Sequence, residues 1–551
     1  MVGTSIFGCE RMVDDPAGKN AEQMAKEHKE ISVSEFFEKN RHLLGYDNPT
    51  RALITVVKEF VDNSLDACEE ARILPRIWLE VKSTTSDRFR VMLKDNGPGM
   101  MDNRIPQTLG KLLVGSKFYK NLQSRGQQGL GTKGAVMYSQ LTTGKPTSIV
   151  ASTGNGKTSF YELMIDVKKN EPKIVSHQYI EDGRVWHGLK IEMEIEGRYV
   201  ESKSGVGEFI KQVAIANPFA EIIFDGPSGR VEFQRGAMEL PPLPKEIKPH
   251  PYGVELGIFR RMIQETSSRT VKSFFTNDFS RVGGISADEI CKLAGVNPGV
   301  SPRSIDADNS EKLFKAMKNA KLLRPPTDCL SPLGEELILS GLKKEIKAEF
   351  FSSVTRPPSV YRRSPFQVEV GIAYGGELPQ EGAVDIMRIS NRVPLMYQAG
   401  DCAITKAVAG TDWKKYGFNQ SGKNMPTGPG VVMVHFASTW VPYTSESKQA
   451  IASYNIIIKE IKLALQEAGR RMQKYVSGKR RFEMHQQRKK IFERYIPEVA
   501  ESLGKLTKEN QELIKAKLQK MAKEVTEVKL FESELEGDDI EEIVSDGEGD
   551  S

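Results

Sequence analysis

Cysteine is scarce and scattered. Five residues in 551 (Cys9, Cys68, Cys291, Cys329, Cys402) lie far apart, and no two form a CxxC pair. That excludes a disulfide framework, leaves no zinc-binding spacing, and places the chain in a reducing cytoplasm. No run of about 18 or more apolar residues occurs, so nothing reads as a membrane span. The opening MVGTSIFGCERMVDDPAGKN lacks the basic-then-apolar order of a secretory leader. There is no internal repeat, no P-loop spacing GxxxxGK[ST] and no Rossmann start, which removes the commonest phosphate-binding designs.

What is present describes a folded protein of several domains. Hydrophobic residues make up 39% and charged residues 27%, and the length exceeds what one core serves. The net charge of +5 hides an asymmetry. Residues 531–551 hold ten acidic and no basic side chains, so subtracting that −10 from +5 leaves +15 on the rest. A basic body suits a polyanionic partner, and a detached acidic tail can compete for it or simply aid solubility.

Along the chain, polar residues 1–30 form an N-terminal extension or strap. Residues 31–245 read as a layered α/β domain. A helix restarts at Thr50 as its N-cap, strands follow at IWLEVKS and FRVMLKD, and further strands at TSIVAS, SFYELMID and LKIEMEIEG. PPLPKEIKPHP is a linker. Residues 246–327 carry four short helical patterns, VELGIFRRMIQ, VKSFFTNDF, ADEICKLAGV and EKLFKAMKNAKLL. Residues 328–495 return to α/β, with strands at FQVEVGIAYGG, AVDIMRISNRVPLM and GPGVVMVHFAST and a long basic helix from about Ser447. Residues 496–551 are a lysine-rich helix and the acidic tail, with no further β-sandwich expected.

The chemistry concentrates in the first domain. On a helical wheel of about 100° per residue, Ile54, Val57, Val61 and Leu65 share one stripe. Glu59, Asn63 and Asp66 fall opposite, with Asp62 at the edge. A solvated surface helix shows the same split. The sequel argues for a site. DNGPGM follows a strand, and GQQGLGTKGA opens a helix. Asp95 at a strand end can accept a hydrogen bond from an adenine amino group, while Gly97 and Gly99 let a base approach the backbone. A glycine-rich turn at a helix start offers N–H groups and the positive dipole end to phosphates. Gly126, Gln127, Gln128, Gly129, Leu130, Gly131, Thr132, Lys133 and Gly134 supply such a turn, with Lys133 as an added charge. Asn63 can give Mg²⁺ one amide oxygen when ATP phosphates and water complete the shell. Glu59, one turn earlier, can orient or deprotonate the attacking water.

These three boxes, in order, resemble those of the GHKL ATPases, the superfamily of gyrase B, the Hsp90 chaperones, MutL and histidine kinases. The resemblance implies that Ile105 to Arg125 is a lid over the nucleotide. A Gly-Thr pair often opens a late strand near the adenine in that superfamily, and here the matching pair is Gly188-Leu189. GSKFYKNLQSRGQQGLG, VMYSQLTTGKP, NRVPLMYQAGDCAIT and HFASTWVPYTSESKQAI are similar to the B subunits of type IIB topoisomerases. The implied fold is α+β and multidomain: a GHKL (Bergerat) ATPase α/β sandwich, a small helix-two-turns-helix insert, an α/β transducer, and a C-terminal helix with the acidic tail. It also implies a transducer lysine that reaches the γ-phosphate, for which Lys423 in SGKNMPTGP is the choice. The implied partners are a second copy on ATP binding, double-stranded DNA, and a DNA-cleaving A subunit in an A2B2 assembly. That partner would dock near residues 450–495, and the setting would be an archaeal cytoplasm. A non-catalytic clamp for a nuclease, or a MutL-like or chaperone ATPase, are the alternative functions.

Overall fold

The computed structural model describes residues 35, 39–115, 121–126, 131–180, 186–362, 364–445 and 448–526. The strap, the acidic tail and Gln127 to Leu130 lie outside them. The first long helix, α1 (Pro49–Glu70), is capped by Asn48, whose side chain accepts from the N–H groups of Thr50 (2.8 Å) and Arg51 (3.4 Å). Pro49 suits the first helical position because an N–H there has no helical partner to lose. The cap is therefore Asn48 and not Thr50.

The first sheet has eight strands: β1 (Arg76–Ser83), β2 (Arg88–Asp95), β3 (Thr147–Thr153), β4 (Thr158–Asp166), β5 (Glu171–Ile180), β6 (His187–Glu196), β7 (Glu221–Gly226) and β8 (Gly229–Phe233). Their order is β5-β4-β3-β6-β2-β1-β7-β8. All pairs are antiparallel except β1 with β7. Helices α1, α2 (Ile105–Gly110), α3 (Gly131–Thr143) and α4 (Val206–Ala216) accompany it. Leu53, Val57, Val61 and Leu65 of α1 are completely buried, against Leu79, Val91 and Leu93 of the sheet. The period-2 alternation of β2 carries one consequence for chemistry. Phe89, Val91, Leu93 and Asp95 share its buried face, so the strand delivers a carboxylate beneath α1.

The insert consists of α5 (Leu256–Glu265), α6 (Val271–Asp278), α7 (Gly284–Ala294) and α8 (Ala307–Asn319), matching the four expected patterns. Its core is built on Phe259, Phe274, Phe275 and Phe279, with ring centroids 5.4–6.2 Å apart.

The second sheet contains β9 (Phe350–Thr355), β10 (Ser359–Tyr361), β11 (Ser364–Tyr374), β12 (Asp385–Ser390), β13 (Val393–Pro394) and β14 (Gly430–Ser438). Helices α9 (Glu335–Glu345), α10 (Ala403–Ala409) and α11 (Asn455–Thr507) pack with it. Every residue of β14 is buried, as a central strand between covered faces requires. Helix α11 begins at Asn455, later than the sequence suggests, and continues through the expected boundary at 495. Its 53 residues span about 80 Å. Helix α12 (Gln511–Thr526) folds back against it. No described helix is long and apolar enough to cross a membrane.

Candidate active site

Asp95 anchors one end of the site. Its Oδ1 accepts from the N–H groups of Gly97 (2.9 Å) and Leu189 (3.0 Å), and its Oδ2 accepts from the Ser64 hydroxyl (2.6 Å). A carboxylate offers about four acceptor positions, so three are filled and one on Oδ2 remains for a ligand. Burial raises the Asp95 carboxyl above its usual range, and the three hydrogen bonds oppose that rise. Leu189 thus meets the anchor through its backbone N–H, which any residue but proline can supply. Gly99 has φ +72°, and a β-carbon there would lie 1.9 Å from the Ser152 carbonyl oxygen. Only glycine suits it.

Glu59 and Asn63 line the other end, on the cavity side of α1. Both Asn63 amide hydrogens are engaged, one by the Glu59 carbonyl (2.8 Å) and one by the Thr132 hydroxyl (2.6 Å). This leaves the amide oxygen as the group able to face a cation. The start of α3 comes so near Glu59 that a β-carbon on Gly131 would lie 1.6 Å from Glu59 Oε2. The close approach brings a helix N-terminus, where anions are favoured, beside a carboxylate able to hold water. Lys133 is buried and donates to the Val114 carbonyl, tying α3 to the segment after α2. Burial lowers its ammonium to about 8.

A cavity of about 390 Å³ joins the two ends, a size suited to a nucleotide-scale ligand. Glu59, Asn63, Asp95 and Gly99 line it, as do Gly126, Gly131, Thr132 and Lys133. Gly97 contributes its N–H to Asp95, and Gly134 is buried within α3. Gln127, Gln128, Gly129 and Leu130 lie outside the described residues.

Lys423 does not reach the cavity. It is exposed on the loop before β14. The nine residues of β14 separate the two ends of the strand by roughly 30 Å, and the end joined to the segment before the glycine-rich loop is the other one, where the Ser438 and Ser124 carbonyls both accept from Asn391 Nδ2. The lysine that the second α/β domain contributes to the cavity is Lys448, after β14, together with Gln449, Met396 and Tyr397. Lys448 is half-buried, with φ +53°, and its Nζ donates to the Arg125 carbonyl at 3.2 Å. Burial and then Lys58 lower its pKa, while Glu59, Asp62 and Asp66 pull the other way.

Three further acids of α1 are not solvated. Asp66 and Glu69 are buried and paired with Arg125, Asp66 at 2.7 Å. Asp62 is buried too, and among the described residues none donates a hydrogen bond to its carboxylate. Desolvation pushes its carboxyl from 3.8 to about 7, with Lys58 opposing and Glu59 adding to the rise. A folded-state pKa above the unfolded one means the native protein holds this proton to higher pH, so stability falls as pH rises from about 4 to about 7. Asp62→Asn removes that dependence. In denaturant titrations it should gain stability over wild type above pH 7, by at most about 4 kcal/mol, and show no gain below about pH 4.

A buried carboxylate with an open acceptor position at one end, a helix N-terminus at the other and a glutamate beside it have the composition of a nucleotide site. Residues 51–185 match the family described as histidine kinase-, DNA gyrase B-, and HSP90-like ATPase. Residues 325–489 match the family described as topoisomerase VI B subunit, transducer. The chain is 46% identical over 487 residues to the B subunit of type 2 DNA topoisomerase 6 from Methanococcoides burtonii, covering 88% of this chain and 78% of that one. The Archaeoglobus fulgidus protein of the same name is 47% identical, covering 83% and 76%. That of Thermococcus onnurineus is 40% identical, covering 95% and 99%. The chain belongs to the family of type 2 DNA topoisomerase 6 B subunits, the ATP-hydrolysing partners in type IIB topoisomerases.

Proposed function

We propose that the cavity between Asp95 and the start of α3 binds ATP with Mg²⁺, and that its hydrolysis drives passage of one DNA duplex through another. Asp95 would take the adenine amino group on its vacant acceptor position. The N–H groups at the start of α3 would meet the phosphates, with Lys133 nearby. Asn63 would give its amide oxygen to Mg²⁺, which neutralises phosphate charge when bound. Glu59 would hold the attacking water and accept its proton. Lys448 would turn from the Arg125 carbonyl to the γ-phosphate, placing a transducer group in the ATPase site. The observation that carries this reading is the shared wall: Lys448 and Tyr397 line the same cavity as Glu59.

Two copies would close on ATP, with nucleotide held under both lids at once as the differential interaction that shifts the open and closed populations. DNA cleavage would belong to an A subunit, in an A2B2 assembly. Its docking surface would lie on α11, where Ile491, Phe492 and Tyr495 are about half exposed. The ten Lys and Arg between Arg470 and Arg494 suit DNA phosphates. Mixed with a type IIB A subunit, the chain should relax supercoiled plasmid with ATP and not with ADP. Equal relaxation with either nucleotide would contradict the proposal, as would none while ATP is being hydrolysed.

A further inference from the structure

The segment that leads into the glycine-rich loop is held by the second α/β domain, residue after residue. Gln123 exchanges two hydrogen bonds with the Ser331 backbone, at 2.9 and 2.8 Å. The Ser124 carbonyl accepts from Asn391 Nδ2 at 3.0 Å. The Arg125 carbonyl accepts from Lys448, and the Arg125 side chain grips Asp66, Glu69 and Asn217. Glu69 also pairs with Arg392 at 3.1 Å.

From Arg392 the chain of contacts continues into the second sheet. Its backbone N–H donates to His435 Nε2 at 3.0 Å, so that nitrogen carries no proton. His435 Nδ1 therefore donates to Glu369, at 2.7 Å. Glu369 accepts in turn from the N–H groups of Leu333 and Gly334, at the start of α9. Arg125, Glu69, Arg392, His435 and Glu369 are all at least nine-tenths buried. Buried ion chains of this kind are a poor source of stability compared with apolar packing, and their best-attested use is to fix one arrangement over another. Asn391 and Arg392 also hold left-handed backbone, with φ +45° and +66°, which side chains other than glycine rarely adopt.

We infer that the Asn391-Arg392 turn is the coupling element between nucleotide and transducer. Both are positioning residues that hold the segment 123–125 and pass its displacement to His435, Glu369 and α9. Neither lines the cavity, so nucleotide binding does not require them. A lysine that leaves the Arg125 carbonyl for a phosphate releases one of the bonds holding this segment, which links the turn to the state of the cavity.

The inference rests on reading the cavity as the ATP site, and the test separates the two. Asn391→Gly keeps the left-handed backbone and removes the side-chain bonds to Ser124 and Ser438. Arg392→Gln removes the charge facing Glu69, and Arg392→Lys restores it. In the full chain, spin labels on the first domain and on the transducer report their separation with a non-hydrolysable ATP analogue and with ADP. Wild type should show two distances. Asn391→Gly and Arg392→Gln should bind the analogue within about threefold of wild type, yet show one distance and consume about tenfold more ATP per strand passage with the A subunit. Arg392→Lys should recover most of the difference. Variants that keep both distances and normal ATP use overturn the inference, as do variants that lose analogue binding. Failure of wild type to bind the analogue overturns the ATP site instead.

Discussion

Glu59→Ala is expected to slow ATP hydrolysis by about 10²- to 10⁴-fold while leaving nucleotide affinity close to wild type. In the proposed site the contacts that would hold a nucleotide come from elsewhere: Asp95 at the base, the start of α3 at the phosphates, and the Asn63 amide oxygen through Mg²⁺. Glu59 sits beside Gly131, its carboxylate against the start of α3 and lining the cavity. Its removal deletes the group that can take a proton from water and little else. Glu59→Gln keeps the shape and loses the basicity, so it should be nearly as slow. Single-turnover hydrolysis alongside analogue calorimetry separates the steps. A large loss of affinity with an unchanged hydrolysis rate constant would assign Glu59 to binding.

Lys448→Ala should carry the second large effect, a loss of about 10²- to 10³-fold in turnover, the scale for removing one preorganised charge from a transferring phosphoryl group. ADP affinity should change little, since Lys448 lies near Glu59 and not near Asp95. Lys423→Ala is the matched control. It removes a lysine from an exposed loop at the far end of β14, and turnover should stay at the wild-type level. Steady-state ATPase assays on the three proteins decide the matter. If Lys423→Ala were the damaged variant, the assignment of the phosphate lysine would be wrong.

The contrast between these two lysines shows what a sequence can and cannot reveal. Asp95 is legible because a strand alternates with period two and its fourth inward position is a carboxylate. Gly131 is legible because a backbone that must come close to a neighbouring group leaves no room for a β-carbon. The choice of Lys423 rests on the resemblance, which implies a transducer lysine, and on a glycine- and proline-bounded loop, which marks a turn but not the direction it faces. That direction depends on which end of β14 lies beside the cavity, a fact of topology set by the pairing of β14 with β12 and by the turn at Asn391. The acids of α1 pose the same problem. They read as one polar face, but the face divides. Glu59 and Asn63 look into the cavity, whereas Asp66 and Glu69 meet Arg125, 59 and 56 positions later in the chain. Strand β5 escapes the pattern because most of its residues are exposed at the sheet edge, so no buried face imposes alternation.

We propose that ATP closes two copies of the chain and that hydrolysis at Glu59 reopens them. Molar mass in solution tests this most directly, measured without nucleotide, with ATP and with a non-hydrolysable analogue, for wild type and Glu59→Ala. The analogue should double the mass of wild type. Plain ATP should trap Glu59→Ala as the same dimer while wild type returns to the monomer as ATP is consumed. A mass that ignores nucleotide in both proteins would contradict it.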